Sequence, residues 1–210
     1  MTYKPRPKAR WCTSHARLAR LGAKLFATAI VDRVRLVAQN HTVSMSRGAI
    51  IDGRFRYLLW RTVGEASNGT VLFIMLNPST ADAQVDDPTL RRCMVFARTW
   101  GFARLEVCNL FALRTPDPAV LKRSRGAVGP KNDAYIRQAC ARASLIVAAW
   151  GTNGGHRNRA ENVSRLLEPQ HQLFALRLTR TGHPAHPLYL PKTVTPEPLN
   201  GLLAQRLLQL

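Results

Sequence analysis

Asn77 closes the apolar run "TVLFIML" (residues 70–76) with an uncharged amide, and Pro78, Ser79 and Asp82 follow it directly. A carboxamide cannot act as a base. It does offer a donor and an acceptor side by side, enough to hold a water or to pair with the edge of a nucleobase. Ser79-x-x-Asp82 has the form of a capping box with Asp in place of Glu. A short helix capped there would turn backbone N–H groups outward, toward a phosphate or a carboxylate. Arg91 and Arg92 come next, early in the following helix, where the dipole disfavours cations by about 0.3–1 kcal/mol. Local pairing with Asp82, Asp86 or Asp87 would offset that cost, and the alternative is an anion clamp.

Other candidates sit further along the chain. Asn109 interrupts an apolar strand, and a buried amide without partners costs roughly 1–3 kcal/mol. It therefore pins a neighbouring loop or reads the polarity of a ligand, and Arg114 lies on the same connection. Gly151 opens "GTNGG", whose glycines permit close backbone approach but match neither G-x-G-x-x-G nor the Walker pattern. No cofactor is expected from it. His183 and His186 each precede a proline, so a stiff extended segment would hold an imidazole over a ligand. Imidazole can donate to an oxyanion or move a proton near neutral pH. H-x-x-H without a helix or a third ligand is a poor metal signal, and no metal is expected. No G-x-S-x-G and no cysteine in a polar elbow suggests a nucleophile.

The elements that must position these groups are legible from periodicity. "RFRYLLWRTV" alternates in part from Arg54, "EASNG" is a turn signal, and "TVLFIML" is apolar on both faces, as a central strand is. These predict an antiparallel hairpin feeding a sheet. Asp87-Pro88 reads as N-cap and first turn of a helix with Leu90, Cys93, Met94, Ala97 and Trp100 on its apolar face and Gly101 at its end. Strands follow at 105–111, 144–150 and 172–178, helices at about 132–143 and 157–167, and residues 199–210 form a short helix or a tail. Strands alternating with helices predict an α/β fold: a three-layer α/β/α sandwich whose mostly parallel central sheet has about four strands, plus the N-terminal antiparallel hairpin. Ligands of such sheets gather at the carboxyl ends of the strands. Four polar loops share that end: residues 77–87, 109–114, 151–155 and 179–188.

The 210 residues carry a net charge of +19, which favours a polyanionic partner, nucleic acid ahead of a membrane surface. No apolar run approaches the roughly 18 residues of a membrane span. Residues 1–44 hold nine Lys/Arg against one acid, Asp32, while the rest hold 22 against 11. This basic extension divides into an arm (1–16) and an amphipathic stretch (17–39) with Leu18, Leu21, Leu25 and Ala29 on one face. It reads as a nucleic-acid arm, a membrane-surface helix or a transit peptide, or as a dispensable extension with Met45 the working start. Residues 45–198 then form one α/β domain, and 199–210 its tail. Cysteines 12, 93, 108 and 140 are scattered without paired spacing, which fits a reducing, cytoplasmic setting rather than a disulfide or zinc scaffold.

From "FRYLLWR" through "LNPSTADAQVDDPTLRRC", "LEVCNLFALRTPDP", "VAAWGTNGG" and "TRTGHPAHPLYL", residues 50–198 closely resemble a bacterial and phage family known as domain of unknown function 1643. The order of motifs also resembles the uracil-DNA glycosylase superfamily. There one strand ends in an Asn-Pro-type loop, a later strand in an asparagine before an Arg/Pro loop, a third in a glycine, and a His-Pro loop closes the pocket. That resemblance implies a uracil-DNA-glycosylase-like fold in which Asn77 positions a water, Asn109 reads a base and His183 or His186 stabilises charge on it. The expected catalytic residues are Asn77, Asp82, His183 and His186. The expected substrate contacts are Pro78, Ser79, Arg91, Arg92, Asn109, Arg114 and Gly151. Three functions follow as expectations: a domain that binds a nucleobase or nucleic acid and hydrolyses an N-glycosidic bond, a non-catalytic nucleic-acid or nucleotide-binding module, or an enzyme acting on a small anionic metabolite.

Overall fold

The computed structural model describes residues 46–65, 68–168 and 170–207. The basic arm, the amphipathic stretch at 17–39 and the alternative start at Met45 lie outside the described residues. In chain order the elements are β1 (Arg47–Asp52), β2 (Phe55–Thr62), β3 (Thr70–Met75), α1 (Pro88–Thr99), β4 (Arg104–Asn109), α2 (Pro118–Arg123), α3 (Asn132–Arg142), β5 (Leu145–Ala148), α4 (Arg159–Leu167), β6 (Phe174–Ala175), β7 (Glu197–Pro198) and α5 (Leu199–Leu207).

The strands form one mixed sheet of seven in the order β1-β2-β4-β3-β5-β6-β7, wider than the sequence suggests. β3 pairs parallel with both β4 and β5, and β5 pairs parallel with β6; the pairs β1–β2, β2–β4 and β6–β7 are antiparallel. The expected hairpin between "RFRYLLWRTV" and "TVLFIML" is incorrect. β2 turns back on β1 across Gly53, which has φ +55°, and β4 separates β2 from β3. The physical reason lies in β3 itself, whose residues 71–75 are all buried. Such a strand needs a partner on each edge and cover on each face, and a position beside an edge hairpin would leave part of it in water.

Alternation along the strands divides the core. Leu72 and Ile74 of β3 pack with Ile136, Ala139 and Cys140 of α3 and with Val163 and Leu167 of α4. Val71, Phe73 and Met75 pack on the other face with Leu90, Cys93, Phe96 and Ala97 of α1. Phe96, rather than Met94 or Trp100, completes the buried stripe of α1. The helix begins as expected, with Pro88 in its first turn and the Asp87 side chain accepting from the Leu90 N–H at 2.7 Å.

This topology creates the place for a ligand. The chain leaves β3 through α1 on one face to reach β4, then crosses by α3 on the opposite face to reach β5, on the other side of β3. Connections from β3 and β5 thus depart to opposite faces, and an open α/β sheet leaves its crevice at such a switch point. β2 runs antiparallel to β4, so its first residues lie beside the end of β4, where the Arg56 N–H donates to Ala112 O at 2.9 Å.

Candidate functional site

A cavity of 610 Å³ opens at the ends of β3 and β5. Met75 of β3 with Leu76 and Asn77 just after it, Trp150 and Gly151 just after β5, Arg56 from β2, Asp87 at the head of α1, and His186 with Tyr189 from the His-Pro loop all line it.

Asn77 is fixed by its own amide. Nδ2 donates to Pro78 O at 3.0 Å and to Thr115 O at 2.7 Å. Both partners are carbonyls, so the nitrogen must face them, and this settles the orientation of the amide. Oδ1 is left as an acceptor without a protein partner among the described residues, on a residue that lines the cavity. Ser79 lines the cavity too, but the helix it was expected to cap is absent from residues 79–87. Asp82 instead closes a tight turn, accepting from the backbone N–H groups of Gln84 and Val85, each at 2.8 Å. Those two bonds hold its carboxyl below the usual range, and it lies outside the cavity lining.

Of the acids expected to offset Arg91 and Arg92, Asp82 and Asp87 bond to local backbone N–H groups and Asp86 is engaged from the sheet. Asp86 pairs with Arg61 and Arg47, and Arg61 also donates to Asp82 O. Arg91 donates to the carbonyl of Asp86, and neither it nor Arg92 lines the cavity.

The cavity cation is Arg56, which sequence patterning did not single out. It is 3% exposed, and its fork is clamped by Ala81 O (2.8 Å from Nη1) and Asn109 Oδ1 (3.1 Å from Nη2). Burial lowers its pKa to about 10; Asp87 opposes the fall and Arg114 adds to it. It remains a cation at neutral pH. Asn109 holds Arg56 of β2. Its side chain orients Arg56, its carbonyl accepts from Asn132 Nδ2 at 2.9 Å, and it does not itself line the cavity. Arg114 stands behind this group, with Nε buried and unpartnered among the described residues.

Gly151 adopts φ +71°, a conformation that favours glycine, and its N–H donates to Pro184 O at 2.8 Å, tying the end of β5 to the His-Pro loop. Of the two histidines, His186 reaches the cavity and His183 does not. His183 is held through its backbone N–H, which donates to Thr179 Oγ1 at 3.1 Å. Burial holds His186 below the usual imidazole range, against the pull of Asp87, so it is neutral at pH 7. Its ring lies 5.7 Å from that of Tyr189, which is 82% exposed at the cavity rim.

Asp87 proves to be more than a helix cap. One oxygen caps α1, and the residue also lines the cavity. Among the described residues no group of three or more His, Cys, Asp or Glu is placed to hold a metal ion, and no helix is long and apolar enough to cross a membrane.

A family model described as a protein of unknown function, DUF1643, matches residues 56–188. The chain belongs to this family. The matched span begins at Arg56 and ends two residues beyond His186, and both of these residues line the cavity. No curated protein and no solved structure matches the chain.

Proposed function

We propose that the cavity takes a nucleobase and that the protein hydrolyses an N-glycosidic bond, as the motif order shared with uracil-DNA glycosylases suggests. One observation supports this above all: Asn77, Asp87 and the distant His186 line one cavity at the switch point. Asn77 Oδ1 accepts a hydrogen bond from a water and aims it. Asp87 is the carboxylate in that lining, suited to take the proton of the water and to offset the positive charge that grows on the sugar as the bond breaks. The neutral imidazole of His186 donates to the departing base, where negative charge develops. The exposed ring of Tyr189 offers a stacking surface at the rim.

A base inside a duplex must be turned out of the stack to reach such a pocket, and the charge of +19 suits the phosphate contacts that accompany this step. The test uses the purified chain on oligonucleotides carrying deaminated and hypermodified bases, with abasic sites as the readout. Cleavage of at least one substrate, lost in Asn77→Ala and Asp87→Asn, is expected. No cleavage across the panel sinks the hydrolase. Binding that survives without turnover would instead support the non-catalytic module.

A further inference from the structure

The cavity wall holds two buried donors that no described residue satisfies. Arg56 Nε and Trp150 Nε1 each lie buried with no hydrogen-bond partner among the described residues, on side chains that are each 3% exposed and that both line the cavity. Buried polar groups in folded proteins are paired with few exceptions, and an exception on a side chain that lines a cavity is a place where a ligand can supply the partner. Both groups are donors only: a guanidinium and an indole N–H have no acceptor to offer.

The charge on Arg56 points the same way. Its two terminal nitrogens donate to neutral oxygens, Ala81 O and Asn109 Oδ1, and it forms no ion pair among the described residues. Its fork is thus locked in place while its charge stays incompletely balanced. Asp87 contributes from a distance and is itself committed to the cap of α1. Trp150 is held as firmly. A Cβ on Gly154 would lie 2.0 Å from Trp150 Cδ1 and 2.6 Å from Nε1, so the indole packs directly on the backbone of residue 154. Volume adds a third argument. At 610 Å³ the cavity falls well inside the range of about 300–1,000 Å³ for small-molecule sites, with room for more than a bare base.

We propose that Arg56 and Trp150 form an oxyanion subsite, so that the ligand is a nucleobase compound carrying a phosphate or carboxylate oxygen into this wall. The proposal rests on the nucleobase reading for the rest of the cavity. Asn109, which holds one arm of Arg56, is then a positioning residue for the subsite.

Calorimetric titration of the full chain tests this with common nucleosides, their 5′-monophosphates, uracil-6-carboxylate and inorganic phosphate as probes. At least one anionic nucleobase probe should bind about tenfold or more tightly than its neutral counterpart, the effect of one charge-assisted bond. Monophosphates winning identifies a phosphate oxygen, and uracil-6-carboxylate winning identifies a carboxylate. Arg56→Gln should erase the preference of anionic over neutral probes. Trp150→Phe, which removes the N–H and keeps an aromatic wall, should reduce the preference and decides the matter if Arg56→Gln fails to fold. Equal binding of neutral and anionic probes overturns the subsite and leaves the nucleobase reading standing. A preference that survives both substitutions also overturns it. Inorganic phosphate bound in an Arg56-dependent way, with every nucleobase probe silent, supports the subsite and removes the nucleobase. Silence of every probe overturns the subsite.

Discussion

Replacing Asn77 by Asp separates what its amide does for the loop from what its free oxygen does for a ligand. The two side chains have nearly the same shape, so packing is preserved. In the native protein Nδ2 donates to Pro78 O and Thr115 O, and Thr115 N–H in turn donates to Pro78 O at 2.9 Å. These bonds close the loop after β3 onto the loop after β4. Each is worth about 0.5–1.5 kcal/mol net, so Asn77→Ala should cost about 1–3 kcal/mol, toward the lower end because the site is only half-buried. Asn77→Asp loses both bonds and sets a carboxylate against two carbonyl oxygens, and should cost about 2–4 kcal/mol at neutral pH. For a domain of this size each kcal/mol lowers Tm by roughly 2–4 °C, so the Asp variant should melt about 4–16 °C below the parent. The deficit should depend on pH. A carboxyl facing carbonyls has a raised folded pKa, so the deficit is smallest below the unfolded Asp value of about 3.9 and grows as pH rises through the folded value. Thermal unfolding followed by circular dichroism between pH 4 and 7.5 measures both effects. An Asp variant as stable as the parent at pH 7 would refute the assignment of Nδ2 to the loop, and with it the free Oδ1 in the cavity.

Two further tests need no ligand. The His186 pKa is depressed by burial, so the unfolded chain binds a proton more readily. Stability attached to the neutral imidazole is therefore present above about pH 6.5 and is lost as pH falls from there toward the lower folded value. His156 is shifted in the same direction by burial, Arg157 and Lys122, so the comparison must be with His186→Gln, which should lose less stability than the parent across that window. Parallel pH profiles would count against a neutral, buried His186. Gly154→Ala should displace the Trp150 indole, at a cost of about 1–3 kcal/mol for overpacking, with a change in tryptophan emission. Unchanged stability and emission would contradict the packing of Trp150 on that backbone.

The sequence made visible what local grammar controls. Asp87-Pro88 started α1 where expected, and the central strand "TVLFIML" became β3 because residues apolar on both faces belong in the middle of a sheet. Pairing partners were not legible. Whether β2 joins β3 or β1 depends on contacts distant in sequence, and a turn signal at "EASNG" says only that the chain bends. The same limit governed the site. Asn77 and Gly151 drew attention because each breaks a pattern just past a strand, and His186 because it precedes a proline; these three and Ser79 line the cavity, whereas Pro78 does not. Arg56 was missed because β2 enters antiparallel, which carries the start of that strand, rather than its end, to the ligand side. A charged residue inside "FRYLLWR" was the available signal, of the same kind that marked Asn109. Arg91 and Arg92 drew attention by their cost at a helix start, which the carbonyl of Asp86 meets for Arg91.

The cavity residues share one design, which explains why capping and chemistry were hard to tell apart. Asn77 uses its nitrogen on two carbonyls and keeps Oδ1; Arg56 uses both terminal nitrogens and keeps Nε; Asp87 caps α1 with one oxygen and lines the cavity. Each side chain is thus held in place, Asn77 by two loop carbonyls, Arg56 by Ala81 O and the Asn109 side chain, and Asp87 by the first turn of α1. Groups held in this way need no reordering when a ligand arrives, so their hydrogen bonds act at close to full strength. The converse is a coupling between fold and site. A substitution that frees any of these side chains also unties a loop, so losses of binding must be read at temperatures where the variant is folded. Trp150→Phe is the informative exception, since its indole N–H serves no structural bond among the described residues. A loss of affinity there, without loss of stability, belongs to the ligand.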